Sequence, residues 1–348
     1  MHLMTTNKAN VIFIMLGQSC NLSCKYCIQH SAIERFLPKS KINEDIFAFI
    51  KTCCDNVDHS INLRFFGGEP LLYFNDIKTI IEKTKDLNVT YSIITNGKMF
   101  NEEIVDVFNK NNVSVTISWD GRNVDLTRHY DVMKDKFDII KHLNKLCVSG
   151  VLTANNYIED FVDDAIPYEA LYFAEHGNCF SVVADEFMNI EDNHDLTDID
   201  YYKLNNQMKN MINIYKNESA IATYDRIKKV VVTRYLKSKL KTIKNNQWKS
   251  EYETPCSNGM KMLNMDLHGN LYHCHNNWVK LGDIYSDFGE YDYSVFCENK
   301  TFHVYKDCAG CSAYPICHGG CPLVKGKQRI EYCKLKKAMI NPIIKNLI

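Results

Sequence analysis

Six short runs rich in Ile, Val, Phe and Thr, at residues 11–16, 61–66, 90–94, 113–118, 149–153 and 180–184, are separated by stretches whose apolar positions recur at helical spacing. Ile42, Ile46, Phe49 and Cys53 fall on one helical face, Ile77, Ile80, Ile81 and Thr84 on a second, and Phe137, Ile140 and Leu143 mark a third. Asn101 stands before Ile104, Val105 and Phe108 where an N-cap belongs, since its side chain can accept from the free amides of a first helical turn. Strand and helix alternating about six times predict an α/β fold with a parallel sheet, a partial (β/α)6 TIM-like barrel. Residues 197–248 read as helical, polar outside and free of Gly and Pro. The predicted organisation is a core barrel over 9–190, a helical bridge over 191–250 and a cysteine-rich C-terminal domain over 251–348.

The polar motifs fall at the C-terminal ends of the predicted strands, the face on which such barrels build their sites. Cys20, Cys24 and Cys27 follow strand one, Gly67-Gly68-Glu69-Pro70 follows strand two, Thr95-Asn96-Gly97 follows strand three, and Ser118-Trp119-Asp120-Gly121 ends strand four. Three thiolates on one short loop can hold three corners of a four-iron cluster and leave the fourth iron open. Three of four zinc ligands is the competing reading, and no obvious fourth lies nearby. Asp185 and Glu186 end strand six, where solvated loop carboxylates are the ordinary reading.

Composition removes several classes of function. A net charge of −1 gives no electrostatic reason for a nucleic-acid or anionic-membrane partner. No uninterrupted apolar stretch reaches the length of a membrane span, and the first ten residues are too polar for a signal peptide. Fifteen cysteines in a chain without an export signal favour metal ligation over disulfides and predict a cytoplasmic protein.

The C-x3-C-x2-C spacing with Tyr26 before its last cysteine, and the Gly-Gly-Glu-Pro after the next apolar run, resemble the radical S-adenosylmethionine (SAM) superfamily. At the other end Cys256, Cys274, Cys308, Cys311, Cys317, Cys321 and Cys333, with Gly269 ahead of Cys274, resemble the SPASM extension of that superfamily. The resemblance implies three 4Fe-4S clusters. Cys20, Cys24 and Cys27 would ligate the one that binds SAM, and one electron from it would cleave SAM to a 5'-deoxyadenosyl radical. Cys308, Cys311, Cys317 and Cys333 would ligate an outer auxiliary cluster, and Cys256, Cys274 and Cys321 an inner one. A zinc ribbon is the alternative for residues 308–321 taken alone. The chain has Met260-Lys261-Met262 where some relatives carry a further cysteine, so the inner cluster either keeps an open iron or takes a ligand such as Cys297.

By the same resemblance Gly67, Gly68 and Glu69 contact the SAM amino group and Ser118 its ribose or carboxylate, with Asn96 a weaker candidate because Asn-Gly is a common turn. Glu69 is expected to contribute little to the fold. His275 stands where anaerobic sulfatase maturases carry a catalytic aspartate, and could act as a base near neutral pH or simply hydrogen-bond at the cluster edge. Arg128 matches an arginine of the peptide-acting relatives and could orient a carboxylate, a surface arginine being the alternative. The function this implies is a maturase of ribosomally made peptides that installs a cross-link, an oxidation or an epimerisation. Sulfatase maturation, disfavoured by His275, and modification of a small molecule or sugar are the alternatives. The expected partners are a peptide substrate and an electron donor such as flavodoxin or ferredoxin. About 19 residues precede Cys20, too few for a winged-helix leader-binding domain, so a leader peptide would need another surface or a separate protein.

Overall fold

The structure, a computed structural model, describes residues 9–28, 41–186, 198–217, 223–244, 261–286 and, with short breaks, 308–348. Its centre is one sheet whose first six strands are β1 (Val11–Met15), β2 (Ile61–Phe66), β3 (Val89–Thr95), β4 (Ser114–Ser118), β5 (Leu146–Leu152) and β6 (Ser181–Glu186). All neighbours from β1 to β6 are parallel and in sequence order. Parallel neighbours need crossovers, supplied by α1 (Asp45–Asp55), α2 (Phe74–Thr84), α3 (Glu102–Lys110), the pair α4 (Val124–Thr127) and α5 (Val132–Ile140), and α6 (Ile158–His176). Two further helices, α7 (Tyr201–Lys216) and α8 (Thr223–Lys244), pack on α6.

The predicted strands lie where the apolar runs put them, with one shift. β5 begins at Leu146, three residues ahead of the expected 149, because α5 stops at Ile140 and Leu146 and Val148 continue the helix-facing row. Gly150 inside it permits close packing, for a Cβ there would stand 2.9 Å from both the Phe161 ring and the Trp119 carbonyl oxygen. Asn101 caps α3 as expected, its Oδ1 accepting from the Ile104 amide at 3.0 Å.

The C-terminal part does not begin as a separate body. β7 (Met262–Asp266) pairs parallel with β1, and β8 (Asn270–Cys274) and β9 (Asn277–Asp283) extend the same sheet as antiparallel neighbours, giving nine strands in the order β6-β5-β4-β3-β2-β1-β7-β8-β9. One consequence is that Cys274 arrives at the barrel from β8. Beyond it lie a one-turn helix α9 (Tyr314–Cys317) and a long α10 (Gly326–Leu347) that packs against α7. Among the described residues no helix is long and apolar enough to cross a membrane.

The two faces of the parallel sheet differ. A parallel sheet sealed on both faces reads as a continuous apolar run, whereas β2 and β5 alternate strictly between buried and half-buried positions. Ile61, Leu63 and Phe65 belong to the core shared with the helices, while Asn62, Arg64 and Phe66 face the other way and stay partly accessible. The same alternation gives Thr116 and Ser118 on β4 and Cys147, Ser149 and Val151 on β5. The inner face of these strands is therefore partly accessible, the wall of a lumen that carries both polar and apolar side chains.

Glu169 on α6 tests the outer layer. Its side chain is fully buried, Oε2 accepts from the Phe180 amide at 2.9 Å, and burial raises its pKa to about 8. A raised folded pKa means the native state holds a proton that the unfolded chain releases above about 4.5, so this contribution is intact below that pH and lost as pH rises through 8. Glu169→Gln is expected to gain stability relative to the parent between pH 5 and pH 8, by roughly 3–5 kcal/mol at the upper end, read as diverging urea midpoints. Parallel midpoints across that range would show that Glu169 carries no such linkage.

Candidate functional site

The cysteine loop is held by backbone. Gly68 N donates to Gly17 O and Glu69 N to Ser19 O, both at 2.9 Å, so the chain leaving β1 lies directly on the turn leaving β2. A Cβ at Gly67 would stand 2.2 Å from Gly17 O, and one at Gly68 2.4 Å from Gln18 O and 2.5 Å from Ser19 O. Backbone cannot give way as a flexible side chain can, so both positions need glycine for this approach. Cys20 is exposed, Cys24 and Cys27 are half-buried, and all three lie within electrostatic reach of one another. Burial raises Cys24 to about 11, with Arg128 opposing and Cys27 and Cys20 adding to the rise. Thiols so crowded carry charge cheaply only when a metal takes up the electron density. The donor chemistry fits an iron–sulfur cluster held by Cys20, Cys24 and Cys27. Among the described residues no three His, Cys, Asp or Glu side chains converge as they would around a single ion.

Two side chains expected to meet a cosubstrate are committed to this loop. Glu69 is 1% exposed, and its carboxylate accepts from Leu71 N at 2.9 Å, Thr95 Oγ1 at 2.5 Å and Asn96 N at 2.8 Å. Burial raises its pKa, and those three hydrogen bonds oppose the rise. The expectation that Glu69 contributes little to the fold is corrected: it clamps the end of β2 to the end of β3. Asn96 then donates through Nδ2 to Asn21 Oδ1 at 2.8 Å and to Cys20 Sγ at 3.9 Å, passing the clamp on to the first cysteine. Ser118, the last residue of β4, faces the lumen and makes no side-chain hydrogen bond to another described residue.

Asp120 is a hub that the sequence did not single out. Its Oδ2 accepts from Tyr26 Oη at 2.6 Å, Thr127 Oγ1 at 2.7 Å and Arg128 Nε at 3.1 Å, and its Oδ1 from Val151 N at 3.0 Å. Tyr26 lies inside the cysteine motif and Lys25 N donates to Thr127 O at 2.9 Å, so the hub ties the loop to β4 and β5. Arg128 is buried with its guanidinium 5.2 Å over the Tyr26 ring. Burial lowers its pKa, but Asp120, Tyr26 and Cys24 more than offset this and hold it above the ordinary arginine value. Removing one partner of a buried pair strands the other charge, so Asp120→Ala should cost about 3–5 kcal/mol, and adding Arg128→Met should restore part of it. Equal urea midpoints for the parent and the single variant would refute this.

His275 sits inside the barrel wall. Its ring stacks on Phe13 at 4.2 Å between centroids and 3° between planes, and meets Phe66 edge-on at 4.9 Å. Burial, then the charge of Arg64, lower its pKa to about 4, so the imidazole is neutral at physiological pH and a weak base there. Cys274 beside it is buried, with Sγ accepting from Asn276 N at 3.3 Å. Cys256 and Cys297 lie outside the described residues.

At the C-terminal end Cys308, Cys311, Cys317 and Cys333 line one cavity of about 690 Å3, together with Arg329 and Lys336. Arg329 donates from Nη2 to Cys308 Sγ at 3.6 Å and from Nη1 to Gly319 O at 2.8 Å. Burial raises Cys317 and Cys333, and Lys336 and Arg329 respectively oppose it. Four thiols and neighbouring cations around one cavity fit a second iron–sulfur cluster, whose thiolate shell is anionic. Cys321, half-buried, does not line that cavity.

Comparison with known proteins agrees with this geometry. Residues 14–158, which run from β1 to the start of α6, match the radical SAM superfamily. The chain is 23% identical to the radical SAM cyclopropyl synthase TigE of Paramaledivibacter caminithermalis over 98% of its own length and 75% of TigE. It is 30% identical to an uncharacterized protein of Methanocaldococcus jannaschii over 45% of its length, and spans 58% of that relative. The fold is similar to that of native anSMEcpe with bound AdoMet and Cp18Cys peptide, with a TM-score of 0.65 and 18% identity over 96% of both chains. The matched segment covers the same strands that carry the three-thiol loop and its two clamps, so the likeness to the radical SAM superfamily falls on the candidate site itself.

Proposed function

We propose that the chain is a radical SAM/SPASM peptide maturase that removes hydrogen from an unactivated position of a ribosomally made peptide and installs a cross-link, an oxidation or an epimerisation. The observation that carries the reading is the partly accessible inner face of the parallel strands, at whose C-terminal ends the three-thiol loop lies, with a cysteine-lined cavity toward the C-terminus. The near full-length similarity to a cyclopropyl synthase and the fold shared with a protein that has a peptide bound support it. When bound, the cluster and SAM supply a 5'-deoxyadenosyl radical to the mouth of the barrel. The chain's own part is placement. Gly67 and Gly68 bring the loop against β2, Glu69 and Asn96 fix its first cysteine, and Asp120 fixes Tyr26 and Arg128. Ser118 offers its hydroxyl to a ligand at the end of β4, and the Phe13, Phe66 and His275 rings keep water from that side of the lumen.

This reading includes three 4Fe-4S clusters, two of them auxiliary, with Cys256, Cys274 and Cys321 for the inner one. An oxidative outcome requires an electron acceptor, which is the part the auxiliary clusters would fill. The expected partners are a peptide and an electron donor such as flavodoxin or ferredoxin, in the cytoplasm. The test is to incubate the reconstituted protein anaerobically with SAM, reductant and the short peptides encoded beside its gene. A SAM-dependent mass change on one of them is expected. Formylglycine on a sulfatase-derived peptide, with no change on any neighbouring peptide, would replace this reading.

A further inference from the structure

The lumen wall holds one cation that no described carboxylate meets. Arg64 lies on the inner face of β2, two residues before the strand ends, between Phe13 on β1 and Ser92 on β3 in register. Its Nε donates to Ser92 Oγ at 3.1 Å, Ser92 Oγ donates to Asn62 Oδ1 at 2.6 Å, and Asn62 Nδ2 donates to Thr90 Oγ1 at 3.1 Å. The chain of donors has one direction. Ser92 accepts from Arg64 and gives its own proton to Asn62, so its hydroxyl is committed on both sides and holds the guanidinium in orientation. Its carbon lies 5.3 Å from the centre of the Phe13 ring, which supports one face of the plane. The two terminal nitrogens make no hydrogen bond to a described residue, and the side chain stays partly accessible.

Two other cations removed from solvent are paired with carboxylates. Arg128 has Asp120, and Lys228 has Glu159 and Asp163. Arg64 differs: burial is the sole influence on its ionisation, and the other ionisable ring near it, His275, brings no negative charge. Asp185, on the inner face of β6 at the far end of the parallel strands, is taken by Ser149 at 3.0 Å. A half-buried charge without a counter-charge is costly to a fold, and inside a ligand-accessible lumen the missing partner is supplied by what enters. A planar guanidinium with its Nε already used presents its terminal pair of donors, which matches the two oxygens of a carboxylate.

We propose that Arg64 is a specificity-determining residue that binds a carboxylate of the substrate, a reading that rests on the peptide substrate proposed above. Two residues of strand separate Arg64 from Gly67, about 7 to 10 Å, so an anchored carboxylate leaves room for the reacting carbon between it and the cysteine loop. The carboxylate comes from an Asp or Glu side chain or from the peptide's C-terminus.

The test uses the anaerobically reconstituted, SAM-loaded protein with its Arg64→Gln and Arg64→Lys variants, each matched to the parent in iron content and far-UV spectrum. Glutarate is compared with glutaramide, and affinity is read from the rise of melting temperature with concentration. The parent is expected to bind glutarate about tenfold or more tightly than glutaramide, Arg64→Lys to keep part of that preference and Arg64→Gln to lose it. Equal binding of the two by the parent, or a glutarate preference that survives Arg64→Gln, overturns the assignment; should Arg64→Gln lose iron, Arg64→Met takes its place under the same criteria. Short peptides of one sequence, with Asp or Asn at the centre and a free or amidated C-terminus, then identify the source of the carboxylate by which change abolishes Arg64-dependent binding. Arg64-dependent glutarate selectivity with no peptide bound leaves the assignment standing and removes the peptide as substrate.

Discussion

Replacing Cys20, Cys24 and Cys27 together by alanine is expected to abolish 5'-deoxyadenosine formation and to lower the iron content of anaerobically reconstituted protein from about 12 to about 8 per chain. The three thiols, one exposed and two half-buried, sit on a loop outside the hydrophobic core, so the variant should keep the far-UV spectrum and most of the parent's stability. Replacing Cys308, Cys311, Cys317 and Cys333 should remove a similar amount of iron from the other end. That loss should carry a structural cost, because these thiols line a cavity bounded by α10, which packs on α7. The two sets of variants separate a loop that holds a reactive centre from a domain organised around its metal. Stoichiometric zinc with little iron in the parent, or unchanged iron in the triple variant, would contradict the assignment.

Much of this architecture was legible because the physics was local. The run at 61–66 forms a strand at those same residues because its side chains alternate between a helix-facing core and a lumen. Asn101 announces α3 because a capping side chain acts within three residues of itself. The three-thiol loop and the glycine pair were readable as motifs, and their placement at strand ends followed from counting apolar runs.

What escaped was set by contacts across long stretches of sequence. Asp120 reaches Tyr26 over 94 residues, and nothing in Ser118-Trp119-Asp120-Gly121 states which distant hydroxyl will arrive. The pairing of β7 with β1 was hidden for the same reason. A parallel neighbour some 250 positions away has no turn to announce it, and β7, buried at four of its five positions, has no alternation to mark it as a strand. In the sequence Arg64 is one charge inside an apolar run. Its meaning appears only once Phe13 and Ser92 are its register partners and no carboxylate among the described residues pairs with it. An isolated charge at an inward strand position is the signal in the sequence that marks it.

Glu69 gives the largest expected difference between the motif and its role in this fold. Glu69→Ala removes the shared acceptor of three donors, two of them backbone amides, at a site that is 1% exposed. Each buried donor left unsatisfied costs on the order of 1–3 kcal/mol, and partial relaxation brings the expected loss to about 3–5 kcal/mol. Glu69→Gln should not rescue it fully. An amide oxygen can still accept from Leu71 N and Thr95 Oγ1, but the amide nitrogen then faces the Asn96 N–H, donor against donor. Displacing Asn96 frees Asn21 and Cys20 from their shared clamp, so iron occupancy of the first cluster should fall along with stability. A side chain whose sole task is to touch a bound cosubstrate would behave otherwise, losing SAM affinity while iron content and the urea midpoint stay at parental values. Measuring all three quantities on Glu69→Ala, Glu69→Gln and Ser118→Ala therefore separates the two roles. Ser118, which faces the lumen with no partner for its hydroxyl among the described residues, is expected to show the second pattern and Glu69 the first.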